Sequence, residues 1–171
     1  MLLTANKRIA LIALAIILLD QVTKQIVLRT LEFRVEEKVI IDGFFKFVHW
    51  GNTGAAWSVM SGNNELLAIV SLFALLLLFL YRHHFNSKTL TGQCALGLIF
   101  GGIVGNLIDR LFVKHVIDFL YFYVYKKSGI EAGFPAFNIA DMAICTGVGL
   151  LFLISWQNEY ETAPQEASPA K

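Results

Sequence analysis

Long apolar segments alternate with more polar connections along the whole chain. A helix needs about 20 residues to cross a hydrocarbon core roughly 30 Å thick. Four segments meet this length when a few flanking residues are included: about 9–28, 64–82, 93–113 and 137–156. The pattern therefore predicts an all-α membrane protein with four transmembrane helices, which form a single membrane-embedded domain over residues 1–156.

Composition supports this class. Of the 171 residues, 56% are hydrophobic, and the mean hydropathy is +0.61. In soluble domains, hydrophobic residues usually make up about half of the chain or a little less. The formal net charge of +1 gives no concentrated basic surface, so nucleic acid is excluded as a partner. The polar residues 157–171 at the end of the chain predict a disordered cytoplasmic tail.

The first segment begins after Lys7 and Arg8, as the core of a secretory signal peptide would. No small-residue cleavage site follows, and the apolar pattern continues through a polar end to Leu28. On a helix, Asp20 and Lys24 lie one turn apart on the same side, so this face can turn away from lipid. The alternative is an ordinary i,i+4 ion pair at a solvated helix end.

The connection over residues 29–64 contains a predicted β element. Residues 39–50 form a hairpin pattern around Asp42-Gly43, because this dipeptide supplies the positive φ angles of a two-residue turn. We expect a small β cradle over about 35–58, at the membrane surface. Its end, GNTGAAWS, has small residues that allow close backbone approach, and Asn52 offers a donor and an acceptor; an ordinary turn explains this motif equally well.

The third segment carries glycines at positions 97, 101 and 105, a spacing that allows close helix packing in lipid. This helix ends with Asn106, Asp109 and Arg110 on one face. An Asp109/Arg110 ion pair is the structural alternative, although it leaves Asn106 and Asp118 unexplained. The aromatic residues 115–125 that follow predict an interfacial amphipathic segment.

The fourth segment follows Pro135 and opens with Asn138, a good N-cap, and Asp141 three residues later. The helix dipole should favour the ionised form of Asp141. A purely structural cap is again the alternative.

In a four-span chain, the ends of segments one and three and the starts of segments two and four emerge on the same side of the membrane. All the polar motifs lie at these four places, and ionisable groups at membrane depth are costly enough to indicate function. We therefore expect one site at the membrane surface. It lacks a Ser, His and acid set, a phosphate loop and a metal spacing, and Cys94 and Cys145 lie in apolar runs. Two close aspartates sharing one proton could hydrolyse a peptide bond.

Five spaced motifs resemble those of lipoprotein signal peptidase (signal peptidase II), a bacterial integral-membrane aspartic endopeptidase. They are DQVTK at 20–24, NTGAAWS at 52–58, GNLIDR at 105–110, VIDF at 116–119 and FNIAD at 137–141. The resemblance covers nearly the whole chain. It implies an enzyme that removes the signal peptide of a lipid-modified preprolipoprotein by cleaving before the diacylglyceryl-cysteine.

The resemblance also implies the roles of the site residues. Asp118 and Asp141 correspond to the catalytic pair, whereas the residues Asn52, Asn106, Arg110, Asn138, Asp20 and Lys24 would bind substrate, and Asp109 and Gly54 would support the site. It further implies a fold with an extracytoplasmic β cradle, no cofactor and no metal. We expect a monomer that contacts membrane lipids.

The family has both termini in the cytoplasm and the active site near the outer face of the bacterial inner membrane. The distribution of Lys and Arg here gives this orientation little support beyond Lys7 and Arg8 before the first segment. Two other classes remain as alternatives: a small ion or proton transporter that uses intramembrane carboxylates, and a non-catalytic lipid-binding or assembly factor. A transporter would distribute carboxylates through the membrane depth or carry paired broken helices.

Overall fold

The four apolar segments form four long helices in the structure, a computed structural model that describes residues 3–54, 62–85 and 89–162. The helices are α1 Ala5–Thr30, α2 Asn64–Tyr81, α3 Leu90–Phe112 and α4 Ile139–Thr162. Each is long and apolar enough to cross a membrane, so the described residues contain the predicted number of candidate spans. Helix α4 extends to Thr162, past the predicted boundary of the span at 156.

Helix α3 lies at the centre of the bundle. Its apolar window is 61% buried, compared with 17% for each of the other three helices. A Cβ atom added at Gly97 or Gly101 would lie 2.7 Å from Ile12 or Ile16 of α1, and one added at Gly102 would lie 2.5 Å from the Ala140 carbonyl of α4. The predicted close packing along the glycines is thus confirmed, and it brings α1 and α4 against α3.

Replacing Gly101 by Ala should destabilise the bundle by about 1–3 kcal/mol, because the added methyl group would meet the Ala13 carbonyl at 2.8 Å as well as Ile16. Thermal loss of helical circular dichroism in detergent measures this effect. Gly149→Ala on α4 is the matched control, since a Cβ atom there has nothing within 4 Å. Equal melting temperatures for the two variants would contradict the packing described for α3.

Four strands form one antiparallel sheet beside the helices. They are β1 Glu37–Ile41, β2 Phe45–Asn52, β3 Val116–Tyr125 and β4 Glu131–Gly133, in that order across the sheet. Strands β1 and β2 confirm the predicted hairpin, although part of the predicted cradle, residues 55–58 with Trp57, lies outside the described residues. The turn at Asp42-Gly43 differs from the predicted two-residue turn in its φ angles. Gly43 has φ +70°, whereas Asp42 is not among the positive-φ residues of the described chain, so one left-handed position is sufficient.

The aromatic residues 115–125 were expected to form an interfacial amphipathic segment. Their place at the interface stays a prediction, but the strand they form was not predicted. They form β3, which pairs with β2 on one side and β4 on the other. Tyr121 and Tyr123 pack with Val48 of β2, while Ile117 and Phe119 pack against Val27 of α1. A strand with neighbours on both of its faces is apolar nearly throughout, so its sequence lacks the alternation that identifies a half-exposed strand.

Backbone pairing brings two of the sequence motifs together. Trp50 of β2 pairs with Asp118 of β3. On the other side of Asp118, the backbone N–H groups of Phe119 and Leu120 donate to the Phe137 carbonyl at 3.1 and 2.9 Å. The strand carrying Asp118 is therefore fixed directly beside the start of α4, where Asn138 and Asp141 lie.

Candidate active site

The polar side chains predicted for the site meet at one end of the bundle. They come from the C-terminal half of α1, the end of α3, the end of β2 and the residues just after it, the start of β3 and the start of α4. One hydrogen-bonded and electrostatic network joins all ten of the predicted positions: Asp20, Lys24, Asn52, Gly54, Asn106, Asp109, Arg110, Asp118, Asn138 and Asp141. The sequence thus located the cluster, although several of its internal contacts differ from expectation.

Asn138 connects the two carboxylates that the family resemblance singled out. Its Nδ2 donates to Asp118 Oδ1 at 2.9 Å, and its backbone N–H donates to Asp141 Oδ2 at 3.1 Å. In return, the Asp141 N–H donates to Asn138 Oδ1 at 2.9 Å. The last two contacts form a reciprocal cap on α4, as expected for an Asn and an Asp three residues apart. Asn138 is fully buried, so this geometry is rigidly held.

Asn106 joins Asp141 to the helices α1 and α3. Its Nδ2 donates to Asp141 Oδ1 at 2.8 Å, while its Oδ1 accepts from Lys24 Nζ at 3.0 Å and from Asn138 Nδ2 at 3.1 Å. Because an ammonium group only donates, Lys24 fixes the carboxamide with its oxygen toward the lysine. The amide hydrogens of Asn106 are consequently directed at Asp141.

Lys24 forms a buried ion-pair cluster with Asp20 and Asp109. Its Nζ lies 2.8 Å from Asp20 Oδ2 and 2.7 Å from Asp109 Oδ2, and Asp20 Oδ1 accepts from the Ala140 N–H at 3.0 Å. Lys24 and Asp20 are both 0% exposed. Neither offers surface to a bound molecule, in contrast to the substrate-binding role expected for them. The alternative Asp109/Arg110 ion pair is also replaced, because Asp109 pairs with Lys24.

Gln21 is a member of this cluster that sequence reasoning missed. Its Nε2 donates to Asp109 Oδ1 at 3.0 Å, to the Gly105 carbonyl at 3.2 Å and to Asp20 Oδ2 at 3.3 Å. A polar residue directly after Asp20 within an apolar segment was the available signal. On its own it was no stronger than that of other polar residues near a helix end.

Arg110 lies on the other side of the carboxylate pair. Its Nη2 donates to the Gly54 carbonyl at 2.7 Å, and its Nη1 donates to Asn64 Oδ1 at 3.3 Å. Its charge interacts with Asp118 and Asp141, although no ion pair to Arg110 is found among the described residues. Asn64 was not predicted, because an Asn in the first turn of an apolar segment is common as a cap.

Asn52 completes the surroundings of Asp118. Its Oδ1 accepts from the Gly54 N–H at 2.8 Å, which closes a turn, and its side chain also hydrogen-bonds to the Asp118 carboxyl group. The remaining positions of the NTGAAWS motif, 55–58, lie outside the described residues. Asn52 and Asn138 therefore flank Asp118 with two neutral donors.

Burial, together with the nearby charge of Asp141, raises the pKa of Asp118 to about 8 in spite of the opposing hydrogen bonds from Asn52 and Asn138. The side chain belongs to β3 and its residue is only 4% exposed. At neutral pH, the protonated form of the Asp118 carboxyl group is therefore favoured.

The described residues contain no group of three or more His, Cys, Asp or Glu side chains that could hold a metal ion. The carboxylates of the site are already bonded to Lys24 and to carboxamide donors, which are poor surroundings for a cation. A pair of close carboxyl groups with different environments is suited to acid–base chemistry on a bound carbonyl compound.

Fold and site together define a multi-pass membrane protein with a carboxylate pair at one end of its helical bundle. The family model described as signal peptidase (SPase) II matches residues 12–157. The chain therefore belongs to the signal peptidase II family, and it is a peptidase, a hydrolase of peptide bonds. This confirms the resemblance of the five motifs and does not support the alternative of a small ion or proton transporter.

Relatives and solved structures agree with this assignment. The chain is 36% identical over 149 residues to the lipoprotein signal peptidase of Anoxybacillus flavithermus, covering 87% of this chain and 85% of the relative. It is 36% identical over 152 residues to that of Syntrophotalea carbinolica, covering 86% and 90%. A solved structure described as a bacterial membrane enzyme is similar with a TM-score of 0.76 and 30% identity, covering 92% of this chain and 93% of that one.

Proposed function

We propose that this chain is an aspartic endopeptidase that removes the signal peptide from lipid-modified prolipoproteins, with Asp118 and Asp141 as its catalytic pair. The observation that carries the proposal is the bridge made by Asn138, which hydrogen-bonds to both carboxyl groups at 2.9 and 3.1 Å. Membership of the signal peptidase II family and the names of the relatives supply the substrate class.

The two carboxyl groups have different roles in the proposed reaction. We assign Asp141 as the base, because it accepts hydrogen bonds from Asn106 and from the Asn138 N–H and lies in the first turn of α4, contacts that a carboxylate can use. It takes a proton from water, whose oxygen attacks the scissile carbonyl carbon. Asp118 gives its proton to the carbonyl oxygen. The tetrahedral intermediate then collapses: the C–N bond breaks, the leaving nitrogen receives the proton held by Asp141, and one hydroxyl group of the intermediate returns its proton to Asp118 as the carbonyl of the product acid re-forms.

The other site residues divide into two groups in this proposal. Asn52, Asn106 and Arg110 lie around the carboxyl groups and would contact the substrate. Asn138 was expected to do the same, but it is fully buried and instead holds the two carboxyl groups in place. Asp20, Lys24 and Asp109 support the site from below, because Lys24 has no exposed surface and fixes Asn106. We therefore replace the substrate-binding role expected for Asp20 and Lys24 by a supporting one.

The proposal places the site near the outer face of a bacterial inner membrane, with both termini in the cytoplasm. Lys7 and Arg8 before α1 support this orientation, since positively charged residues favour the cytoplasmic side. The site residues all lie at the bundle end opposite these two residues, which agrees with an extracytoplasmic substrate.

Cleavage of a purified precursor tests the proposed function directly. The purified protein, in detergent, is mixed with a lipobox precursor that either carries or lacks diacylglyceryl-cysteine, and release of the signal peptide is followed as a gel shift. We expect cleavage before the cysteine of the lipidated precursor, with the unlipidated precursor as the matched control. No cleavage of the lipidated form, or equal cleavage of both, would contradict the proposed activity or its substrate class.

The raised pKa of Asp118 predicts a limit to activity at alkaline pH. Because the protonated carboxyl group is the required form, the rate should be maintained below about pH 8 and fall about tenfold per pH unit above it. Initial rates between about pH 6 and 10 measure this dependence. Thermal melting over the same range controls for unfolding. A constant rate up to about pH 10 in the folded protein would show that Asp118 is not the proton donor.

A further inference from the structure

The Arg110 side chain is held by both ends of the connection between β2 and α2. Gly54, just after β2, accepts from Nη2 at 2.7 Å, and Asn64, the first residue of α2, accepts from Nη1 at 3.3 Å. A guanidinium group has five N–H donors in a fixed plane. Two acceptors on different elements therefore determine the orientation of that plane.

Asn64 bonds to Arg110 twice. Besides accepting from the guanidinium group, its Nδ2 donates to the Arg110 backbone carbonyl at 3.0 Å. Carbonyls in the last turn of a helix have no partner within the helix, and Arg110 is in the last turn of α3. Asn64 is 6% exposed, so both of its contacts with Arg110 are shielded from water. A single carboxamide thus fixes both the backbone and the side chain of Arg110.

The neighbouring Asn63 shows that capping does not explain this arrangement. Asn63 occupies the N-cap position of α2, is exposed and makes no side-chain capping hydrogen bond. The side chain of Asn64 points instead across to α3. Its position is accounted for by Arg110 rather than by the start of its own helix.

These contacts keep the guanidinium group of Arg110 near the carboxyl groups of Asp118 and Asp141 without an ion pair between them. The charge of Arg110 interacts with Asp118 and Asp141, yet no carboxylate of the described residues forms an ion pair with Arg110. Ion-paired hydrogen bonds between guanidinium and carboxylate groups are strong and often bidentate. An unrestrained Arg110 would therefore turn toward the carboxylates.

From this geometry, and resting on the proposed function, we propose that Asn64 is a positioning residue of the peptidase. It holds Arg110 away from the carboxylates, so that guanidinium donors that are not bonded to Gly54 or Asn64 can bind the peptide carbonyl groups of the substrate. Asn64 acts only through Arg110 and does not itself contact the reacting atoms.

The kinetics of Asn64→Ala test this role. With a diacylglyceryl-cysteine peptide as substrate, KM should rise about tenfold or more, as expected for loss of a hydrogen bond to a charged group, while kcat changes by less than about threefold. A merely structural role would reduce the active fraction, and thus the apparent kcat, at constant KM. Asn63→Ala is the matched control and should retain both constants.

Two further variants cover loss of folding and separate the outcomes. Asn64→Asp keeps an acceptor for Arg110 and should fold, yet its KM should also rise because the new carboxylate neutralises the guanidinium group. In an Arg110→Ala background, adding Asn64→Ala should change KM no further. The role of Asn64 would be overturned if KM were unchanged in both Asn64→Ala and Asn64→Asp. It would also be overturned if Asn64→Ala raised KM as much in the Arg110→Ala background as it does by itself. Either result would leave the proposed function intact. Absence of cleavage by the unsubstituted protein would overturn the proposed function and this inference together.

Discussion

Replacing either Asp118 or Asp141 by Asn should lower the cleavage rate of a lipidated precursor by about 10³-fold or more while the protein stays folded. Asp141→Asn removes the base that accepts the proton of water, and Asp118→Asn removes the ionisable proton donor; each such role typically contributes 10²- to 10⁴-fold. The substituted carboxamides are of the same size and can still hydrogen-bond within the Asn138 network. Initial rates and thermal melting in detergent, measured on the same preparations, separate chemistry from folding.

Asp42→Asn is the control for this experiment. Asp42 is an exposed carboxylate in the turn between β1 and β2, where it accepts from the Tyr125 hydroxyl at 3.1 Å, far along the sheet from the site. We expect cleavage at the unsubstituted rate. Normal cleavage by Asp118→Asn or Asp141→Asn would exclude that residue from the catalytic pair and require another group as the base or the proton donor.

Local sequence was enough to predict the helices and the location of the site. The spans follow from uninterrupted apolar length, and the clustering follows from topology, because alternate helix ends share one side of a membrane. The Asn138–Asp141 cap is also a local feature, since both residues lie within one turn. Each of these features has a cause that can be seen in the sequence, because it depends either on residues within a few positions of one another or on the membrane that the helices cross.

The contacts between elements could not be predicted in the same way. The position of Asp109 and Arg110 on one face of α3 allows an ion pair between them, yet Asp109 pairs with Lys24 and Arg110 bonds to Gly54 and Asn64. Adjacent residues on a helix diverge by about 100°, so their partners depend on which helix lies on each side. That information is tertiary and is absent from the pattern of one segment.

Strand β3 shows a second reason why part of the fold could not be predicted from the sequence. The sequence over 116–125 is apolar and aromatic almost throughout, as an interfacial segment is. In the structure, this strand has a partner strand on each edge and packed side chains on both faces over its first half. Burial on both faces removes the alternation of polar and apolar residues from which a strand is predicted.

Lys24→Met should cause the largest loss of stability of any single substitution considered, about 3–5 kcal/mol, together with loss of cleavage. Lys24 lies 2.8 Å from Asp20 and 2.7 Å from Asp109, and none of the three has more than 2% of its side chain exposed. Removing the only ammonium group among them leaves two carboxylates facing each other without solvent. Cleavage is lost because Asn106, freed from Lys24 at 3.0 Å, no longer directs its amide hydrogens at Asp141.

Lys46→Met provides a matched comparison, because Lys46 is also a buried lysine with two carboxylate partners. Its partners Glu37 and Glu131 have side chains 40% and 32% exposed, so water can solvate them after the substitution. We expect a loss of about 1 kcal/mol or less from this ion pair.

Adding Asp20→Asn and Asp109→Asn to Lys24→Met should restore part of the lost stability, since it removes the uncompensated charges. Similar melting temperatures for Lys24→Met and Lys46→Met, or no recovery in the triple variant, would show that buried charge at Lys24 does not hold α1 to α3.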